Sequence, residues 1–125
     1  MQFGVFTVGD VTTDPTTGRT PSEGERIKAM VTIAKKVEEV GLDVFATGEH
    51  HNPPFVPSSP TTLLGYIAAK TERIHMGSAI MNLSRPVNHP VRNAERVAML
   101  DHVCGGRYEW GTGRGAGSHE MATFD

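Results

Sequence analysis

The sequence contains little cysteine and no excess of charge of one sign. Its single cysteine, Cys104, excludes a disulfide within the chain and fits a reducing compartment. The 12 Lys and Arg residues against 14 Asp and Glu residues leave a formal net charge of −2. Such a balance offers no basic surface for nucleic acid or for an anionic membrane, so we expect neither as a partner.

Long hydrophobic runs are absent as well. No segment approaches the ~18 consecutive apolar residues that a membrane helix needs, and residues 1–6 (MQFGVF) lack the basic start and long apolar stretch of a signal peptide. The composition is otherwise that of a globular protein, with 38% hydrophobic and 21% charged residues. We therefore expect a cytoplasmic protein that forms one domain over residues 1–125.

Hydrophobic periodicity divides the chain into alternating strands and helices. Short runs rich in β-branched and aromatic residues predict four strands, which begin near residues 3, 43, 74 and 108. Apolar residues at three- and four-residue steps predict three helices between these strands. The helix start signals are Ser22 with Glu25 in a capping box, Ser59-Pro60, and Pro90. Gly77 lies inside the third strand and predicts a bulge there.

The order of these elements is β-α-β-α-β-α-β, with roughly 30–40 residues from one strand to the next. This spacing implies parallel strands joined by right-handed crossovers. Two α/β architectures satisfy the order, namely a small open doubly wound sheet and the N-terminal half of a (β/α)8 TIM barrel. Periodicity alone leaves both open.

Polar residues cluster where the predicted strands end, which is where both architectures carry their functional sites. The sequence Glu49-His50-His51-Asn52 follows the second strand, and Asn82 follows the third. Imidazole suits proton transfer near neutral pH, and adjacent residues at a strand end point to opposite sides. One of the two histidines is therefore a candidate general base, with a loop histidine bonded to backbone as the alternative. Glu49-His50-His51 lacks the helical spacing of zinc motifs, so we predict no metal site.

A glycine-rich segment follows the fourth strand. Gly111, Gly113 and Ala116 match the G-x-G-x-x-G/A spacing that brings backbone amides close to a pyrophosphate, although that fingerprint belongs to the first βα turn. A small nucleotide-binding domain that prefers NAD is the corresponding alternative. Arg114 can pair with a phosphate through two parallel hydrogen bonds. The competing interpretation is a flexible connection with a solvated arginine.

Four stretches of the sequence combine into a larger pattern: MQFGVF at 1–6, FATGEHH at 45–51, HPVRNAE through MLDH at 89–102, and GGRYEWGTGRG at 105–115. In order and spacing they resemble the N-terminal part of the bacterial luciferase-like flavin-dependent monooxygenase superfamily. The resemblance covers nearly the whole chain. It implies a (β/α)8 barrel of which residues 1–125 supply about four of the eight βα units, as a truncated luciferase-like domain.

The resemblance also implies an activity. Members are oxidoreductases that use reduced flavin mononucleotide (FMN) and dioxygen to oxygenate a small organic substrate, with a separate flavin reductase as a candidate partner. By position in the sequence, His50 matches the proposed catalytic acid/base, with Glu49 beside it. Two other interpretations stay open: a deazaflavin-dependent oxidoreductase of the same superfamily, and a non-enzymatic flavin-binding or oligomerising remnant.

The flavin itself is expected to contact four residues. The bond between Ala79 and Ile80 matches the place where members often have a non-prolyl cis peptide under the flavin ring, and Arg114 matches an arginine that reaches the flavin phosphate. Gly113, beside it, stands where luciferases proper carry a reactive cysteine, so light emission is not favoured. Half a barrel would leave the first and fourth strands as open edges with apolar faces. We therefore expect this chain alone to be inactive, and to be unstable or to form a homo-oligomer.

Overall fold

The chain folds as parallel strands that alternate with helices. The computed structural model describes residues 1–115 and 117–124. The predicted strands and helices are all present, and a fourth helix, which the sequence patterns did not predict, follows the last strand. In chain order the elements are β1 (Gly4–Thr7), α1 (Glu23–Glu39), β2 (Val44–Gly48), α2 (Pro60–Ala68), β3 (His75–Asn82), α3 (Pro90–Val103), β4 (Tyr108–Gly113) and α4 (Ser118–Phe124).

The strands form one parallel sheet in the order β1-β2-β3-β4. Neighbours in the sheet are thus also neighbours in the chain. A doubly wound sheet instead reverses its strand order at a switch point, whereas a TIM barrel adds its strands in sequence. The doubly wound alternative is therefore wrong, and the order is that of four consecutive strands of a barrel.

The third strand is irregular, as its glycine predicted. The pairing of β3 with β4 shifts register between Ser78 and Met81, one residue beyond Gly77. The prediction of a cis bond between Ala79 and Ile80 is wrong. Among the described residues, the peptide bond that is cis is Pro53–Pro54. A register shift accommodates the irregularity with trans peptides, which avoid the cost of about 3–4 kcal/mol of a non-prolyl cis bond.

The first helix begins as predicted at its capping box. The Ser22 hydroxyl accepts from the backbone N–H of Glu25 at 3.2 Å, and the Glu25 carboxylate accepts from the backbone N–H of Ser22 at 2.8 Å. The backbone hydrogen bond from Ser22, followed by the hydrogen bond from Arg19, lowers the pKa of Glu25 to about 2. The helix start is thus fixed by local groups alone.

One hydrophobic core lies between the sheet and the first three helices. Fully burying a large aliphatic or aromatic side chain contributes about 1.5–3 kcal/mol, so this face of the sheet carries most of the packing energy. Cys104 is buried there as a small side chain, as expected. The largest core residues are Met30, Phe45, Leu64, Ile67, Ile74 and Met76.

The opposite face of the sheet is open in the described residues. Phe6 is 50% exposed and Ile80 is 36% exposed. His75 and Glu109 also lie on this face, where Nδ1 of the histidine is 2.8 Å from a carboxylate oxygen of the glutamate. In a closed barrel this face would be the interior.

The apolar face predicted for the third helix is only partly buried. Leu100 packs into the core, but Val91 and Met99 are exposed. Asn93, which is polar, takes an inward position instead. The apolar residues of α3 therefore cover more of the helix surface than the part that packs against the sheet and α2.

Arg107 ties the loops at the amino-terminal end of the sheet together. Its guanidinium donates five hydrogen bonds of 2.9–3.2 Å, to the carbonyl oxygens of Ala68, Thr71, Ile74 and Cys104 and to the Thr71 hydroxyl. The end of a barrel opposite the active site serves stability. A single planar cation satisfies acceptors that would otherwise be left unpaired.

We predict that Arg107→Lys lowers the free energy of unfolding by about 2 kcal/mol or more, because a lysine ammonium cannot reach all five acceptors and hydrogen bonds to charged groups contribute about 1.5–3 kcal/mol. Urea unfolding followed by circular dichroism measures the loss. Arg92→Lys is the matched control, since Arg92 is exposed and bonds only Glu95 among the described residues. Equal losses in the two variants would contradict the prediction.

We also predict that the unfolding midpoint of the 125-residue chain rises with protein concentration. The exposed edges of β1 and β4, and the open face that holds Phe6 and Ile80, gain burial when two copies associate. Denaturation at two concentrations tenfold apart, with sedimentation analysis of the same samples, measures the effect. A concentration-independent, cooperative transition of a monomer is the opposing result.

Candidate active site

The polar residues predicted at the strand ends do meet at the carboxyl end of the sheet. Glu49, His50 and His51 follow β2 directly, and Asn82 ends β3. The backbone N–H of Glu49 bonds the carbonyl oxygen of Ile80 at 3.0 Å, which holds the loop against β3. The predicted convergence of these residues at one end of the sheet is therefore observed.

Glu49 is a buried acceptor at the centre of this cluster. It is 4% exposed, and its oxygens accept from the backbone N–H of Asn82 at 2.9 Å and from Nδ2 of Asn88 at 2.9 Å. Nε2 of His51 lies 2.8 Å from the same carboxylate. A buried carboxylate is stable only when donors replace water around it. Both of its oxygens are engaged, so Glu49 holds its neighbours in place.

His50 is held on three sides and leaves one nitrogen without a partner. The ring is 9% exposed and stacks on Phe55 with 4.4 Å between centroids. Its Nδ1 lies 3.3 Å from Oε1 of Glu120. Its Nε2 is buried and has no hydrogen-bond partner in the part of the chain that the structure describes. Gly48 leaves room for this nitrogen because it has no side chain, and a Cβ there would lie 3.1 Å from Nε2.

Glu120 is a site residue that the sequence patterns missed. It is 1% exposed on α4, and besides His50 it accepts from the backbone N–H of His51 at 3.0 Å. Gly115 has a positive φ of 83°, and a Cβ there would lie 3.0 Å from a Glu120 oxygen and 2.8 Å from Nδ2 of Asn82. Only a glycine allows this approach. The single signal in the sequence is an acidic residue in the first turn of a short helix after a glycine-rich segment.

The two adjacent histidines contact different carboxylates, but both rings border one cleft, so the expectation that they point to opposite sides is wrong. His51 turns to Glu49, and its ring meets Phe124 edge-on at 4.7 Å between centroids. A cleft of about 310 Å³ borders both rings, whereas a larger groove of about 670 Å³ between α2 and α3 contains no residue of this cluster. The cleft is lined by His50, His51, Asn52, Pro53, Phe55, Val56, Ser58, Thr123 and Phe124.

The four residues expected to contact a flavin lie on, or directly after, two neighbouring strands. Ala79 and Ile80 are exposed near the end of β3. A Cβ on Gly113 would lie 2.6 Å from Cγ2 of Ile80, so the glycine lets β4 pack against that side chain. Arg114 follows β4 with an exposed side chain and makes no hydrogen bond or ion pair within residues 1–115 and 117–124. Ala116, the third position of the dinucleotide spacing, lies outside the described residues.

Other kinds of site were also sought. In residues 1–115 and 117–124, no three His, Cys, Asp or Glu side chains are grouped so that they could hold a metal ion. None of the described helices has the length and apolar character to cross a bilayer.

The chain belongs to the luciferase-like monooxygenase family, whose model matches residues 1–125. It is 32% identical over 104 residues to the alkanal monooxygenase alpha chain of Photorhabdus luminescens, covering 82% of this chain and 28% of that one. It is 31% identical over 107 residues to N-acetyl-S-alkylcysteine monooxygenase of Bacillus subtilis, covering 85% and 31%. The chain thus spans less than a third of the length of these relatives.

Solved structures show the same fold. The oxygenating constituent of 3,6-diketocamphane monooxygenase from Pseudomonas putida, in complex with FMN, matches with a TM-score of 0.84 at 22% identity, over 99% of this chain and 32% of that one. The coenzyme F420-dependent tetrahydromethanopterin reductase of Methanopyrus kandleri matches with a TM-score of 0.71 at 23% identity, over 98% and 29%. The expected luciferase-like TIM-barrel fold is therefore confirmed.

Proposed function

We propose that residues 1–125 are the first half of the catalytic barrel of a flavin-dependent monooxygenase, which uses reduced FMN and dioxygen to oxygenate a small organic substrate. The observation that carries the proposal is the buried, unpaired Nε2 of His50 at the carboxyl end of the sheet, the end at which barrels of this fold carry their active sites. Membership of the luciferase-like family supports the reaction class.

The residues present fit a flavin. Ala79 and Ile80 offer exposed apolar surface at the end of β3 for a flat ring system, and the guanidinium of Arg114 is available for a phosphate. When bound, reduced FMN supplies the electrons and the reaction with dioxygen. A separate flavin reductase would deliver it in the reduced form.

The chain's own residues move and hold protons. His50 accepts or returns a proton at Nε2, the one nitrogen of its ring that the described protein groups leave unpaired. Glu49 has no oxygen left for a reacting group, because both already accept from Asn82, Asn88 and His51. We assign it a positioning role.

A deazaflavin is the second candidate cofactor. The observation in its favour is the structural match to an enzyme named for coenzyme F420, while a closer match is named for its complex with FMN. Competition between reduced FMN and a reduced deazaflavin for the same protein separates the two. Displacement of bound FMN by a stoichiometric amount of the deazaflavin would favour the second candidate.

We predict that His50→Ala, in a complete barrel containing this chain, lowers oxygenation by about 10²–10⁴-fold, because positioned acid/base groups contribute that much. Reduced FMN binding persists, since the variant keeps Arg114 and Ile80. Oxygen incorporation into alkanals and N-acetyl-S-alkylcysteines, the substrates after which two relatives are named, measures the loss. His102→Ala, on the exposed side of α3, is the control, and unchanged turnover in His50→Ala removes His50 from the mechanism.

We predict that Arg114→Ala weakens binding of reduced FMN about tenfold or more while binding of reduced riboflavin changes little. Only FMN carries the phosphate, and a hydrogen bond between charged groups contributes about 1.5–3 kcal/mol. Anaerobic titration of a complete barrel containing this chain with each flavin measures both constants, with Arg92→Ala as the control. Equal weakening for the two flavins contradicts the phosphate assignment.

A further inference from the structure

We propose that two buried carboxylates hold the adjacent histidines in opposite neutral tautomers, and that Glu120 is the positioning residue that leaves Nε2 of His50 without a proton. The inference rests on the proposed function for its catalytic meaning, because it names the proton-accepting atom of that site. The tautomers themselves follow from the contacts of Glu49 and Glu120 with the two rings.

The tautomer of His51 follows from the contacts of Glu49. One carboxylate oxygen accepts from Nδ2 of Asn88 at 2.9 Å, and the other accepts from the backbone N–H of Asn82 at 2.9 Å. Both partners are donors, so the group between them is an acceptor. Nε2 of His51, 2.8 Å from the first oxygen, must then donate. Neutral His51 consequently carries its proton on Nε2 and leaves Nδ1 bare.

The tautomer of His50 follows in the same way from Glu120. Oε1 of Glu120 accepts from the backbone N–H of His51 at 3.0 Å, and a backbone N–H can only donate. The same oxygen lies 3.3 Å from Nδ1 of His50. Nδ1 therefore carries the proton, as in other sites where a carboxylate fixes the tautomer of an imidazole.

The consequence lies at the other nitrogen of the His50 ring. Nε2 is buried with no partner among the described residues, and a Cβ placed on the neighbouring Gly48 would lie 3.1 Å from it and 3.8 Å from Cζ of Phe6. A bare Nε2 in this position accepts a proton or a hydrogen bond from a bound molecule. A protonated Nε2 would instead be a buried donor with nothing to donate to, and it could not act as a base.

The experiment reads the tautomers directly. The chain is labelled with ¹⁵N at its histidine rings, and long-range proton–nitrogen spectra are recorded at a pH where the rings are neutral. His50→Gln and His51→Gln assign the two rings. We expect a bare Nε2 on His50 and a bare Nδ1 on His51, each favoured by about ten- to a hundredfold, since a hydrogen bond to a charged group contributes that ratio. A proton on Nε2 of His50 in the unaltered chain overturns the proposal.

The variant Glu120→Gln removes the charge with little change of shape. We expect the His50 ratio to move about tenfold towards the Nε2–H form, which free histidine prefers, while the His51 ratio stays unchanged. Glu95→Gln, an exposed glutamate on α3, is the matched control and should move neither. An unchanged His50 ratio in a folded Glu120→Gln also overturns the proposal. If that variant does not fold, the spectrum of the unaltered chain decides.

The same spectra of a complete barrel that contains this chain, combined with its titration with reduced FMN, separate this inference from the function on which it rests. Opposite tautomers without flavin binding by that barrel would uphold the role of Glu120 and remove the proposed cofactor. Flavin binding by a chain whose His50 carries its proton on Nε2 would uphold the proposed cofactor and remove the role of Glu120. A purely structural role of Glu120 would change stability and leave the tautomer ratio unmoved.

Discussion

The buried carboxylate of Glu49 is the constraint on which the arrangement of the site depends. It lies directly after β2, yet its partners come from the end of β3, from the residues ahead of α3 and from its own loop, through Asn82, Asn88 and His51. Leaving a buried charge without partners would cost several times the value of an ordinary hydrogen bond. The requirement to satisfy one carboxylate therefore fixes two strand ends and two loops relative to each other, and the position of His50 follows from theirs.

The two ends of the sheet are held by opposite kinds of charge. At the amino-terminal end the guanidinium of Arg107 collects carbonyl oxygens, and at the carboxyl end Glu49 and Glu120 collect N–H groups. Stability at the first end allows the loops at the second end to carry glycines and an unpaired nitrogen, neither of which stabilises the fold. This division between the ends is the usual one in barrels.

The fold was largely predictable because its signals are local. The capping box of Ser22 and Glu25 needs four consecutive residues, and the convergence of polar residues follows from parallel strands. Glu120 was not predictable, because its contact with His50 joins residues 70 positions apart and depends on how a seven-residue helix packs. The prediction of a cis bond at Ala79–Ile80 was wrong for a related reason. It was carried over by position, whereas the geometry of that bond depends on strand register.

The pair formed by His75 and Glu109 has a consequence for whatever covers the open face of the sheet. With both side chains about half accessible to water, such a pair contributes little to stability. A covering surface strips water from the carboxylate, at a cost on the order of several kcal/mol unless polar groups replace it. A surface that matched only the apolar area of Phe6 and Ile80 would be penalised at this point. The pair therefore favours covering surfaces that place polar or charged groups opposite His75 and Glu109, in addition to fitting the shape of the sheet.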